Sequence, residues 1–145
     1  ALKSSRTLVF STATTEITAA LRRRTVNDTL REVAETVRHW SGGTDIGAAI
    51  GHLNRGVIRE GAASATVAII ISDGYDNGVL ERIASEMQAL QRQVSKVVWI
   101  NPMYGASTFK VRAAGMKAAL PYVDHFLPAF DARSLRVLVR ELALI

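Results

Sequence analysis

The sequence predicts an α/β fold: a three-layer, doubly wound, mostly parallel sheet with one antiparallel edge strand. Three observations carry this. An apolar run at residues 65–72 (ATVAIIIS) has no polar alternation, as expected of a strand covered by helices on both faces. From that run onward the pattern alternates strand, helix, strand, helix, strand, helix, which gives a parallel sheet with right-handed crossovers. A short β-rich run near the start, followed by a turn and an alternating segment, supplies the antiparallel edge.

Along the chain, residues 6–11 (RTLVFS) read as the first strand. The turn-like 12–15 follows, and Glu16, Ile17 and Thr18 alternate as a short partner strand. Asn27 or Asp28 can cap the next helix, whose face is Leu30, Val33, Ala34, Val37 and Trp40 at spacings of three or four. Residues 41–45 (SGGTD) break it. A second helix is expected from about Ile46 to Arg59, rich in Gly and Ala. Each interior glycine costs roughly 1 kcal/mol against Ala, so tertiary packing has to hold it. The polar loop 73–78 (DGYDNG) leaves the buried strand, and Leu80, Ile83, Ala84, Met87, Leu90 and Val94 stripe the next helix. KVVWI at 96–100 is a second buried strand, ended by Asn101 and Pro102. A short helix over about 109–120, a strand at 124–127 and a C-terminal helix capped by Asp131 complete the order, with Leu135, Leu138, Val139 and Leu142 inward.

With 145 residues the chain has one domain's worth of material, about 68–70% of its extended surface being buried on folding. It is 48% hydrophobic, which argues against disorder. No cysteine is present, so thiol catalysis, disulfides and cysteine-ligated zinc are excluded. No apolar stretch is long enough to span a bilayer and no signal-peptide pattern opens the chain, so a cytoplasmic location is expected. The net charge of +5 is spread evenly: nine basic and six acidic residues in 1–60, nine and seven in 61–145. The one tight run, Arg22, Arg23 and Arg24, has no interleaved aromatics, which argues against nucleic acid and leaves room for an acidic protein partner.

Several chemistries fail on inspection. Gly42 and Gly47 have Walker A separation, but Ala48 and Ala49 stand where Lys and Ser/Thr are required. There is no G-x-G-x-x-G and no G-x-S-x-G. Asp73, Asp76 and Gly78 resemble a calcium loop only until Tyr75, which offers no suitable oxygen at the third position. His39, His52 and His125 show no metal-ligand spacing. What survives is Thr44 at a helix start and Asp73 after a buried strand. Together they place a hydroxyl and a carboxylate at the carboxyl edge of the sheet, where α/β ligands bind. Oxygen ligation of that kind suits a hard cation such as Mg²⁺.

The segments RTLVFST (6–12), ALRRR (20–24), WSGGTDIG (40–47), IISDGYDNG (70–78), WINP (99–102) and ALPYVDHFLP (119–128) together resemble the von Willebrand factor A-like domains, and among them the CoxE-like family linked to carbon monoxide dehydrogenase maturation. The resemblance implies a Rossmann-like sheet and a metal-ion-dependent adhesion site binding Mg²⁺, Mn²⁺ or Ca²⁺. In this sequence Thr44 and Asp73 match two of that site's loops. Gly43, Asp45, Gly74, Tyr75 and Asp76 would border the surface that meets a partner's acidic side chain. It also implies a non-enzymatic adaptor working with a MoxR-type AAA+ ATPase. The site's D-x-S-x-S segment does not occur in these residues. Residues 1–145 are therefore expected to form a single, N-terminally incomplete domain without the family's central first strand and without a well-ordered metal. The flanking strands would then pair directly or expose edges that favour self-association. The alternative reading is an α/β nucleotide-binding or hydrolytic enzyme using the Thr44/Asp73 edge.

Overall fold

The computed structural model describes residues 5–23, 25–37, 42–58, 66–104 and 113–144. Its centre is the parallel sheet built by β3 (Val67–Ile71), β4 (Lys96–Asn101) and β5 (His125–Pro128), in the order β3-β4-β5. Ile69 sits opposite Val98 and Ile71 opposite Ile100; Val98 in turn sits opposite His125. β1 (Leu8–Phe10) and β2 (Thr14–Glu16) form a separate antiparallel hairpin, with Val9 opposite Thr15. The fold is thus α/β with parallel and antiparallel parts, as the sequence predicts.

One face of the parallel sheet carries the main core. Strand periodicity puts Ala68, Ile70, Val97 and Trp99 on that face. Against them pack α2 (Ile46–His52), α3 (Leu80–Gln93) and α4 (Ala114–Ala119), through Ile46, Ile50, Ile83, Met87, Leu90 and Met116. Trp99 is fully buried and its indole N–H donates to the Ser72 carbonyl at 2.9 Å, so the largest core side chain has a satisfied polar atom. The opposite face holds Val98 and Ile100, covered by Leu138 of α5 (Ala132–Leu144). A third cluster, Ile17, Ala20 and Val37, joins the hairpin to α1 (Val26–Thr36).

Several expectations are corrected. β3 was expected to be buried on both faces, but Ile69 and Ile71 are 46% and 63% exposed. They lie on the α5 face of an edge strand, beyond what α5 covers. On α5 itself only Leu138 is buried, while Leu135 and Val139, expected inward, are 47% and 68% exposed. Of the two alternatives for the flanking strands, direct pairing of β1 with β3 is not seen among the described residues. β2 lies at Thr14–Glu16 rather than 16–18. The cap of α1 is Thr25, whose hydroxyl accepts from Asp28 N, rather than Asn27 or Asp28. α2 ends at His52 and continues as a single π turn, Leu53–Val57. The turn is anchored by Asn54, whose side-chain amide donates to Glu86 O at 2.9 Å. β5 runs over His125–Pro128 rather than 124–127. The expectations placed on Arg24, His39, Trp40, Arg59, Ala65 and Phe109 fall outside the described residues. Asp131 does cap α5: its carboxylate accepts from Ser134 N at 2.7 Å, which holds its carboxyl below the usual range.

Candidate functional site

The predicted site residues lie on two loops at the carboxyl edge of the parallel sheet. The first loop enters α2 and contains Gly43, Thr44 and Asp45. The second leaves β3 and contains Asp73, Gly74, Tyr75 and Asp76. The structure joins the two. Asn77 N donates to Thr44 O at 2.9 Å, and Asp76 Oδ1 accepts from Ile46 N at 2.6 Å. Asp45 N donates to Ser11 O at 2.9 Å, which ties the end of β1 to the same loop.

Local chemistry explains the loop shapes. Gly43 and Gly74 have φ of 89° and 82°, a region that costs other L-residues roughly 1–2 kcal/mol. At Gly74 space is also short: an added Cβ would come within 2.6 Å of Met116 Cβ. Gly74 is buried beneath α4, which fixes where the chain turns after Asp73.

The three aspartates have different occupations. Asp45 Oδ1 accepts from Ala48 N at 2.7 Å as the N-cap of α2, and its other oxygen lies 3.7 Å from Arg82. Asp76 uses both oxygens, on Ile46 N and on Gly78 N at 2.8 Å. Both residues therefore hold the loops in shape. Asp73 is exposed, and among the described residues only its Oδ1 is engaged, by Tyr75 N at 3.1 Å. No hydrogen bond within the described residues uses the Thr44 hydroxyl. Tyr75 is 66% exposed at the rim.

A residue that sequence reasoning passed over completes the arrangement. Asn101 is fully buried at the end of β4. Its amide donates to the Asp73 carbonyl at 3.3 Å and its carbonyl oxygen accepts from Met103 N at 2.8 Å. A buried amide satisfied in this way fixes the β3–β4 edge. The available signal was an Asn directly before Pro102 at a strand end.

Thr44 and Asp73 offer one hydroxyl and one carboxylate. Mg²⁺ demands near-octahedral oxygen coordination and Ca²⁺ takes six to eight oxygens. Among the described residues no group of three or more His, Asp or Glu converges to hold a metal ion. These residues by themselves do not fit a divalent cation. Nor is any helix among the described residues long and apolar enough to cross a membrane.

Comparison with curated proteins and with solved structures returned no significant match. The family model for VWA domain containing CoxE-like protein matches residues 1–135. The match takes in the hairpin, both site loops and the whole parallel sheet, and on that span the chain belongs to the CoxE-like family of VWA domains.

Proposed function

We propose that this chain is a non-catalytic adaptor that binds a protein partner through the surface formed by residues 43–45 and 73–76. The observation that supports it is the division of labour among the loop side chains. Asp45, Asp76 and Asn101 are consumed in holding the loops, while among the described residues the Thr44 hydroxyl and one Asp73 oxygen keep their hydrogen-bonding capacity. A rigid rim with uncommitted oxygens suits recognition. Turnover would call for a nucleophile–base pair or a phosphate loop, and the sequence offers neither.

The partner proposed is a MoxR-type AAA+ ATPase presenting an acidic residue, in the assembly or maturation of a metalloenzyme, in the cytoplasm. In the family's adhesion site, the positions of Thr44 and Asp73 would share Mg²⁺, Mn²⁺ or Ca²⁺ with the serines of a D-x-S-x-S segment, which does not occur in these 145 residues.

Biolayer interferometry of the chain against such an ATPase tests the reading. Thr44→Ala and Asp73→Ala should each weaken binding about tenfold, the size of an interface hot spot. Unchanged affinity in both variants refutes it. A thermal-shift screen with nucleotides runs in parallel, and stabilisation by ATP or GTP would favour the enzymatic alternative.

A further inference from the structure

We propose that the Asn77–Gly78 step is a covalent modification site, at which Asn77 converts spontaneously to aspartate and isoaspartate. The chemistry needs a side-chain amide followed by an unobstructed backbone N–H. Glycine supplies the second, having no Cβ to hinder the approach of its nitrogen to the preceding side chain. The chain contains Asn27, Asn54, Asn77 and Asn101, and the other three are disfavoured. Asn101 precedes Pro102, which has no N–H to offer. Asn54 is buried, its amide donating to Glu86 O and Glu86 Oε2 at 2.9 and 2.8 Å. Asn27 lies in the first turn of α1, where Asp28 N donates to the Thr25 hydroxyl. Asn77 is exposed and outside helix and strand. Among the described residues no hydrogen bond holds its side-chain amide, which packs over Gly43 within 2.0 Å of where a Cβ there would stand.

The steps balance with water alone. Gly78 N gives up its proton to hydroxide and attacks Asn77 Cγ. The N–Cγ bond forms, the Cγ–Nδ2 bond breaks, and Nδ2 leaves as ammonia after taking a proton from water. Water then opens the cyclic imide. Cleavage of the bond from Gly78 N to Cγ restores the ordinary chain with aspartate at 77. Cleavage of the bond to the Asn77 main-chain carbon leaves isoaspartate, with one more carbon in the backbone. Among the described residues Gly78 N is held by one carboxylate oxygen, Asp76 Oδ2 at 2.8 Å, and not by a helix or a sheet ladder. Asp76 also accepts from Ile46 N, and Asn77 N donates to Thr44 O at 2.9 Å. A longer backbone at 77 therefore displaces the fastening between the two site loops and the start of α2. An effect on partner binding rests on the function proposed above; the conversion itself does not.

Peptide mapping by mass spectrometry, on the 145-residue chain incubated in mildly alkaline buffer, tests this without a partner. The peptide holding Asn77 should show amide-to-acid exchange and resolve into aspartate and isoaspartate forms, while Asn27, Asn54 and Asn101 stay intact. The same chain unfolded in urea should convert at Asn77 about tenfold faster, the factor that one hydrogen bond of ordinary strength supplies. Asn77→Gln cannot close a five-membered imide and should stay unmodified at that position. The isoaspartate form, separated by ion exchange, should melt roughly 3–6 °C below Asn77→Asp, which carries the same charge on an ordinary backbone. A folded chain whose Asn77 stays intact overturns the proposal, as does Asn27 converting first. An isoaspartate form that melts like Asn77→Asp overturns the link to α2. Loss of binding to the ATPase is read separately, so a chain that converts at Asn77 yet binds no such partner counts against the proposed function alone.

Discussion

Asp76 caps a helix that begins thirty residues before it. Its Oδ1 accepts from Ile46 N at 2.6 Å while Asp45 Oδ1 accepts from Ala48 N at 2.7 Å, so two carboxylates serve two of the orphan donors of α2. Asp45 is local to the helix; Asp76 arrives from the β3 loop. α2 thereby gains an anchor on the sheet edge, which matters for a seven-residue helix that contains two glycines.

Asp76→Ala removes this anchor and leaves the Ile46 and Gly78 donors without their acceptor. The expected loss is about 1–2 kcal/mol, or roughly 3–6 °C in melting temperature for a domain of this size. Asp76→Asn retains one acceptor oxygen and should lose less than half as much. Urea denaturation of the three proteins checks the order. Equal losses in both variants would mean that the negative charge, rather than the hydrogen bonds, stabilises the loop.

Gly74→Ala should be more damaging than its size suggests. The residue has φ of 82°, and its Cβ would meet Met116 Cβ at 2.6 Å and Met116 Cα at 3.1 Å. Left-handed strain and the clash together should cost about 2–4 kcal/mol. Because the close atoms include the Met116 backbone, Met116→Ala should not rescue it. Equilibrium unfolding of the single and double variants measures this, and the double variant should be no more stable than Gly74→Ala alone.

Much of the fold was legible because its signals are local. The stripe Ile83, Met87 and Leu90 is spaced for one helical face, and all three are fully buried. Asp131 stands three residues before Ser134 and caps as that spacing implies. The positions of Thr44 and Asp73 at the sheet edge followed from the alternating topology. What was missed is non-local. Apolar character in β3 shows that Ile69 and Ile71 could be buried, but coverage depends on how far α5 reaches. The bond from Ile46 to Asp76 and the clamp from Asn101 onto Asp73 join residues about thirty apart, beyond the range of periodicity. The π turn at Leu53–Val57 depends on Asn54 finding Glu86 on another helix.

Glu86 gives the fold an acid-sensitive contact. Burial pushes its carboxyl up, but the hydrogen bonds from Asn54 and Arg55, with the charges of Arg55 and Arg82, outweigh that and leave it below 4.5. A carboxyl lowered by folding stabilises the native state above its unfolded value and loses that contribution as pH falls through its folded value. Glu86→Gln should therefore be less stable than wild type by about 1 kcal/mol at neutral pH, modest because Arg55 is largely exposed. The gap should narrow as pH drops below 4.5. Chemical denaturation at neutral and acidic pH checks the sign, and a gap that widens in acid would overturn the assignment.

The metal question has a calorimetric answer. Thr44 and Asp73 sit on joined loops, and the carboxylates nearest them, Asp45 and Asp76, are engaged by backbone N–H groups. Recruiting either carboxylate would unfasten the start of α2, so binding would work against helix capping. One free carboxylate oxygen and one hydroxyl leave most of an Mg²⁺ shell to water, which corresponds to affinity weaker than about 1 mM. Titrating Mg²⁺ into the 145-residue chain should give no saturable heat at sub-millimolar concentration, and Asp73→Asn should not alter the trace. Sub-millimolar binding that disappears in Asp73→Asn would show that these loops rearrange to complete a site. Thermal unfolding with and without Mg²⁺ distinguishes the cases independently, since a ligand at one hundred times its dissociation constant raises stability by about 2.7 kcal/mol.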